Sequence, residues 1–253
     1  MLTELLQNKI LILDGAMGTV LQQRGLPPGG QPELLNLTHP ELLESIHREY
    51  ISAGSRVIYT NTFGANGLKL SKSGLRVEET VAAAVAIAKR AAAGTDAQVA
   101  LDIGPLGELL EPMGALPFER AYELFRETVL AGVKAGADLI VIETMTDLYE
   151  TKAALLAAKE NSGLPVFVTM SFEASGRTFT GCTVASMART LEGLERDEAE
   201  ELAVSVSTAI AGEIAPYTDG LYLMTPFRRV ALMERIILSI GESDLSVSAA
   251  SRF

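Results

Sequence analysis

The sequence has almost no cysteine, no tryptophan and a shortage of positive charge. Its 253 residues include one cysteine, Cys182, so they can form neither an intrachain disulfide nor a multi-cysteine metal site. Lys and Arg number 21 against 32 Asp and Glu, which gives a net charge of −11. Because polyanions repel such a chain and no basic run offsets this charge, we expect no nucleic-acid partner. The expected partner is a small molecule.

Long apolar runs are also missing. No stretch of about 18 uninterrupted apolar residues occurs, which argues against a membrane span. Residues 1–18 lack the charged leader, apolar core and cleavage site of a secretory signal. These absences and the single cysteine predict a cytoplasmic protein. The material for a core is aliphatic, since hydrophobic residues make up 48% of the chain and aromatic residues 6%.

Short apolar runs alternate with longer amphipathic segments. Continuous hydrophobicity is typical of parallel strands that are buried on both faces. The predicted strands are Lys9–Asp14, Arg56–Asn61, Val99–Ile103, Asp138–Thr144, Val166–Phe172 and Gly220–Thr225. The predicted helices begin near Pro40 and then span Glu78–Ala93, Phe118–Ala135, Asp147–Glu160, Val184–Leu194 and Asp197–Ala215.

Polar residues stand at or near the carboxyl ends of the first four predicted strands, namely Asp14, Asn61, Asp102 and Glu143. This placement favours an α/β fold of the (β/α)8 TIM-barrel type, in which the loops after the strands build the site. An open, doubly wound sheet is the alternative, with ligands gathered at one switch point. Because only about six strands are readable, the barrel is predicted to be incomplete.

The loops after the first two strands carry the motifs DGAMGT at 14–19 and NTFGAN at 61–66. Gly15 and Gly18 allow a tight turn whose N–H groups can receive a carboxylate, and Asp14 could pair with an ammonium group. In the second loop Phe63 could wall a small pocket. The alternative for both loops is purely structural, with Asp14 or an asparagine capping an ordinary turn.

Two acidic residues follow the next strands. Asp102 begins a turn made rigid by Gly and Pro, where it could simply orient the neighbouring loops. Glu143 follows four apolar residues, and an acid in that position is costly unless it is paired. A single ligand ammonium facing both Asp14 and Glu143 would explain the two carboxylates. A general acid–base pair is the alternative.

The remaining metal-binding residue types are few. Cys182 is predicted to be a small buried or loop thiol, because the two histidines lie far upstream of it. His39 is predicted to start a helix and His47 to lie on a helix surface, and neither is expected to be catalytic. The acidic stretch Glu195–Glu201 is predicted to be a solvated helix start.

Four motifs in order, DGAMGT, NTFGAN, DIGPLGELLEP at 102–112 and ET at 143–144, resemble the homocysteine S-methyltransferase domain. That domain also occurs in cobalamin-dependent methionine synthase and betaine–homocysteine methyltransferase. The resemblance covers about residues 5–192 and implies a barrel that binds homocysteine and a methyl donor at its mouth. It implies that Asp14 and Glu143 hold the ammonium and that Phe63 lines the pocket. The homocysteine carboxylate would meet the backbone of Gly15, Ala16, Met17 and Gly18, and Asn61 and Asp102 complete the predicted substrate-binding residues.

The sequence departs from this family at the metal. The resemblance implies a zinc ion that is held by three cysteines and lowers the pKa of the substrate thiol. One of those cysteines follows an Asn on the sixth strand and two stand in a Gly-Gly-Cys-Cys motif on the eighth. Both motifs are missing here, and Cys182 matches no ligand position. We therefore predict no metal ligands and impaired methyl transfer; the alternative is a non-catalytic homocysteine-binding or oligomerising fragment that pairs through an open sheet edge.

The C-terminal part is different in character. Residues 209–239 resemble the last strand and helix of methylenetetrahydrofolate reductase. The predicted division is a truncated homocysteine-binding barrel over 1–194, a helix-strand-helix segment over 195–240 and a flexible tail over 241–253.

Overall fold

A computed structural model describes residues 11–192 of the chain. The chain divides into two compact units, one formed by Leu11–Thr183 and the other by Met1–Ile10 with Val184–Phe253. The described part of the second unit is one helix, Val184–Glu192. Some of the predicted elements lie outside the described residues: the strand Gly220–Thr225, the helix Asp197–Ala215, the acidic stretch Glu195–Glu201, and the segments 195–240 and 241–253.

The first unit is built on a parallel sheet. Its strands are β1 (Val57–Tyr59), β2 (Gln98–Ile103), β3 (Leu139–Met145) and β4 (Val166–Met170). They are hydrogen-bonded in the order β1-β2-β3-β4, all in parallel. Each strand is added on the same side as the one before, as in a barrel, whereas a doubly wound sheet reverses at its switch point. The predicted parallel α/β architecture is confirmed, and the described strands contain no such reversal.

Residues 11–14 run beside β1, as the first predicted strand requires. Leu13 forms a single parallel bridge with Val57. The N–H of Asp14 donates to the carbonyl of Val57 at 3.0 Å, and the N–H of Arg56 donates to the carbonyl of Ile12 at 2.7 Å. These bonds bring Asp14 to the carboxyl end of β1. Residues 9 and 10 of this predicted strand lie outside the described residues.

Helices connect the strands and pack on the sheet. They are α1 (Met17–Gln23), a 3₁₀ helix (Pro32–Leu34), α2 (Leu35–Thr38), α3 (Pro40–Ser52), α4 (Gly67–Ser71), α5 (Val77–Ala92), α6 (Phe118–Ala135) and α7 (Leu148–Asn161), followed by α8 (Val184–Glu192) in the second unit. Three predicted helices correspond to α5, α6 and α7, and their ends agree with the structure to about one residue. No helix among the described residues is long and apolar enough to cross a membrane.

The core is aliphatic, as the composition predicts. Val57, Ala100, Leu139 and Val141 form one buried cluster across β1, β2 and β3. Small residues let the helices approach the sheet closely: a Cβ on Gly132 of α6 would lie 2.4 Å from the side chain of Leu101. This packing fixes the strand ends, and with them the loops that carry the polar motifs.

The prediction for His47 was wrong. The side chain is fully buried in α3 rather than on its surface, and neither ring nitrogen has a hydrogen-bond partner among the described residues. Burial lowers the pKa of His47 to about 4. The residue lies four positions after Leu43 and next to Ile46, both buried, so it occupies the apolar stripe of the helix. His39, by contrast, precedes α3 as its N-cap residue, in agreement with the prediction.

Candidate functional site

A cleft of about 830 Å³ opens at the carboxyl ends of the strands. All the predicted substrate-binding residues line it: Asp14, Gly15, Ala16, Met17, Gly18, Asn61, Phe63, Asp102 and Glu143. Residues outside the four motifs also line it, among them Glu33, Tyr59, Lys69 and Lys72, and so does Thr144 of the ET motif. The fold therefore brings the four sequence motifs to one place.

Asp14 is held by one carboxylate oxygen and leaves the other unused. Its Oδ2 accepts a hydrogen bond from the N–H of Tyr59 at 2.9 Å. Its Oδ1 is buried and has no partner among the described residues. Burial raises the pKa of Asp14 to about 7, against the opposing effect of the Tyr59 N–H, and the charge of Glu143 adds to the increase. A buried carboxylate oxygen without a donor is costly, so a cationic ligand would be stabilised here.

Glu143 comes from the end of β3 and is half-buried in the same cleft. Alternation along the strand puts it on the side of Leu139 and Val141, the side that also carries Tyr59 in the buried cluster. Burial raises the pKa of Glu143. The pKa of Tyr59 is likewise raised, first by burial and then by the charges of Glu143 and Asp14. These acidic groups therefore lie close enough to repel one another.

Asp102 is the third acidic residue of this group and is buried at the bottom of the cleft. Its side chain is 6% exposed, and its Oδ1 has no partner among the described residues. Burial raises the pKa of Asp102 well above its usual range, and the charges of Glu143 and Asp14 raise it further. Its backbone is held by two buried threonines: its N–H donates to Thr60 Oγ1 at 3.2 Å, and its carbonyl accepts from Thr62 Oγ1 at 2.7 Å.

Phe63 and Lys69 form another part of the wall. The Phe63 ring is 37% exposed and lies 5.4 Å from Lys69 Nζ, measured to the ring centroid. Lys69 Nζ also donates to the carbonyl of Pro105 at 2.8 Å. Burial lowers the pKa of Lys69, an effect that the charges of Glu33 and Glu150 oppose. The wall is therefore apolar on its surface and tied to the loop after β2.

The loop after β1 is fastened to the 3₁₀ helix by side chains. Asn61 Nδ2 donates to the carbonyl of Pro32 at 2.8 Å and to Asn36 Oδ1 at 2.9 Å. Glu33 Oε1 accepts from the N–H of Gly64 at 2.6 Å. The Asn61 amide group therefore holds this loop, and the same residue lines the cleft.

No group of three or more His, Cys, Asp or Glu side chains within residues 11–192 is arranged to hold a metal ion. Cys182 lies in the loop after β4 and is half-buried, as predicted, with its Sγ donating to the carbonyl of Thr183 at 3.2 Å. The acidic residues of the cleft therefore remain the principal charged feature of the described site.

Comparison with known proteins agrees with this architecture. Residues 11–206 match the family model described as homocysteine S-methyltransferase. The chain is 32% identical over 215 residues to methionine synthase of Mycobacterium tuberculosis strain ATCC 25618 / H37Rv, an alignment that covers 78% of the chain and 18% of that enzyme. Methionine synthase of Mycobacterium leprae strain TN is also 32% identical, over 216 residues, with the same coverage. The chain thus spans about 18% of the length of these curated relatives.

Solved structures with the same fold include the homocysteine methyltransferase MmuM from Escherichia coli. Its oxidized form superposes with a TM-score of 0.67 at 23% identity, covering 82% of this chain and 80% of that one. Its metallated form gives the same TM-score and identity, covering 83% and 82%. At this identity the likeness is one of fold, and it agrees with a partial TIM barrel.

Proposed function

The chain belongs to the homocysteine S-methyltransferase family, and on that premise we propose that its cleft binds homocysteine as the acceptor of a methyl group. The observation that carries the proposal is the meeting of Asp14 and Glu143 in one cleft, each with a pKa raised by burial. Two partly buried, mutually repelling carboxyl groups are both ionised at little cost only with a cation between them. The α-ammonium group of an amino acid is such a cation.

The rest of the amino acid fits the remaining lining. The resemblance assigns its carboxylate to the backbone of Gly15–Gly18, and these residues line the cleft beside Asp14. The side-chain methylenes would pack against the Phe63 ring, since burying each methylene contributes about 0.8 kcal/mol. Asn61 would act by holding the wall and Asp102 by closing the floor. The thiol would then face the open side of the cleft, where a methyl donor can approach.

The zinc ion that the family implies does not fit the residues present. One cysteine in 253 residues cannot supply a three-cysteine site, and the described residues offer no other group of ligands. The proposed function therefore contains no metal-dependent step. We propose that the chain binds homocysteine but transfers methyl groups poorly by itself. A cytoplasmic location and self-association through a sheet edge stay predictions.

The test is to measure binding and chemistry on the same preparation. We expect titration calorimetry to show homocysteine binding, with substoichiometric zinc by elemental analysis. Turnover should be negligible with S-methylmethionine, betaine or methylcobalamin as donor. Homoserine lactone, which lacks the thiol and the free carboxylate, is the control ligand and should bind much more weakly. Absence of homocysteine binding would contradict the proposed ligand, and stoichiometric zinc with rapid turnover would contradict the proposed impairment.

The wall formed by Phe63 allows a second test of this ligand. A Cβ added to Gly104 would lie 2.5 Å from the Phe63 ring, so Gly104→Ala must push the ring out of place. We expect homocysteine affinity to fall about tenfold, or 1.4 kcal/mol, in titration calorimetry. Gly163→Ala is the matched control, because its Cβ would meet nothing within 4 Å. Equal affinities for the two variants would show that Phe63 does not contact the ligand.

A further inference from the structure

Strand β3 contains an extra residue next to the cleft. It pairs Ile142 with Val168 and then Met145 with Met170, so three steps along β3 match two along β4. This is a β-bulge, a feature that bends a strand locally and often re-aims side chains beside a functional site. The residues inside the bulge are Glu143 and Thr144, and both line the cleft.

The bulge puts Met145 and Glu143 on opposite faces of the sheet. Met145 lies on the same face of the sheet as Ile142, because their partners Val168 and Met170 are two residues apart on β4. Both side chains are fully buried. In an uninterrupted strand Met145 would share a face with Glu143, because side chains alternate. The extra residue separates them, so Met145 joins the core while Glu143 faces the cleft. Alternation from Leu139 and Val141 sets the face on which Glu143 lies, and the bulge fixes the backbone that directly follows it.

The backbone of the bulge adopts a conformation that its residue disfavours. Thr144 has φ +59°, and it is the one non-glycine with positive φ among residues 11–192. A β-branched residue rarely adopts this left-handed region, so surrounding contacts must hold it. One such contact comes from β4: the N–H of Thr144 donates to Thr169 Oγ1 at 3.2 Å.

We propose that Thr144 and Thr169 are a positioning pair that fixes the Glu143 carboxylate for the ammonium group of the ligand. The pair acts through Glu143 and touches neither the methyl group nor the thiol. This inference rests on the proposed function for its ligand. It adds the residues that hold the bulge, one of which belongs to a strand that carries none of the recognised motifs.

The test is a double-mutant cycle between Thr169→Val and Glu143→Gln. Valine keeps the shape of threonine and removes the acceptor. We expect Thr169→Val to weaken homocysteine binding about fivefold, since one hydrogen bond is lost, and to have no effect in the Glu143→Gln background. Thr169→Ser keeps the hydroxyl group and should therefore bind homocysteine about as tightly as the wild type does. Thr180→Val is the matched control, because Thr180 Oγ1 donates to the carbonyl of Thr146 outside the cleft.

A second readout needs no ligand. In the ligand-free protein, carbon NMR of the Glu143 carboxyl should show that Thr169→Val moves its raised pKa back toward the ordinary value, because the side chain is released to solvent. An unchanged Glu143 pKa, or an equal loss of binding in the Glu143→Gln background, would overturn the positioning role. If wild-type protein binds no homocysteine, the proposed function fails, while the pKa measurement still decides the role of the pair.

Discussion

Asp14→Asn is expected to weaken homocysteine binding about a hundredfold at pH 8, which corresponds to about 2.7 kcal/mol. The substitution keeps the size of the side chain and an oxygen that can still accept from the Tyr59 N–H. It removes the negative charge and the unpartnered Oδ1 that the ammonium would meet. Titration calorimetry on both proteins measures the change. Asp96→Asn is the control, because Asp96 pairs with Arg56 with 66% of its side chain exposed.

The same substitution should stabilise the fold. Asp14 has a pKa of about 7 in the folded chain against 3.8 as its ordinary value, so above pH 7 the folded state carries a charge that burial disfavours. A difference of roughly three pKa units corresponds to about 4 kcal/mol. An amide nitrogen without a partner at the position of Oδ1 offsets about 2 kcal/mol of this. The net expected gain is about 2 kcal/mol.

The gain in stability from Asp14→Asn should depend on pH. Between about pH 4 and about pH 7 the unfolded chain releases the Asp14 proton while the folded chain keeps it, so wild-type stability falls as the pH rises through this range. Urea unfolding should therefore show that Asp14→Asn is more stable than wild type above about pH 7. Its advantage should disappear near pH 5 and reverse below about pH 4, where the wild type is largely protonated in both states and only the cost of the unpaired amide nitrogen remains. Loss of binding without this gain would mean that the asparagine disturbs the loop rather than removes a charge.

The position of the cleft could be predicted because the carboxyl ends of parallel strands meet at one edge of a sheet. Asp14, Asp102 and Glu143 follow continuous apolar runs, and such runs identify buried strands reliably enough to bring their ends together. The exact residue at which each strand ends was harder to predict. β1 ends at Tyr59, two residues before the predicted Asn61, because hydrophobicity does not show where the ladder stops.

Residues that reach the cleft from outside the strand ends could not be predicted. Glu33 belongs to a 3₁₀ helix and Lys69 to the short helix α4, so no periodic pattern connects either residue to the sheet. The positive φ of Thr144 was also hidden, since threonine in a strand is ordinary and the strain exists only against β4. The prediction for His47 was wrong because polarity alone favours a solvent-facing position, whereas its spacing from Leu43 follows the buried stripe.

In both DGAMGT and NTFGAN, a side chain that holds the loop occurs together with a residue that lines the cleft. One carboxylate oxygen of Asp14 accepts a hydrogen bond from the N–H of Tyr59 and so holds the loop. The other oxygen has no partner among the described residues and is left for a ligand. Likewise Asn66 accepts from the N–H groups of Leu68 and Lys69 to cap α4, while Phe63 in the same loop lines the cleft. A loop that is fixed by its own side chains is rigid, and rigidity favours ligand binding because less ordering is needed.

Homocysteine affinity should rise with pH until the Asp14 carboxyl is ionised. Its pKa of about 7 means that at lower pH the free protein holds a proton where the ammonium must bind, and binding has to release it. Affinity should increase roughly 25-fold from about pH 5.5 to about pH 7.5 and then level off. Calorimetry in two buffers of different ionisation enthalpy should detect close to one proton released at the lower pH. Because an asparagine side chain carries no such proton, Asp14→Asn should show a nearly flat profile; an equally steep profile in that variant would assign the proton to Glu143 or Asp102 instead.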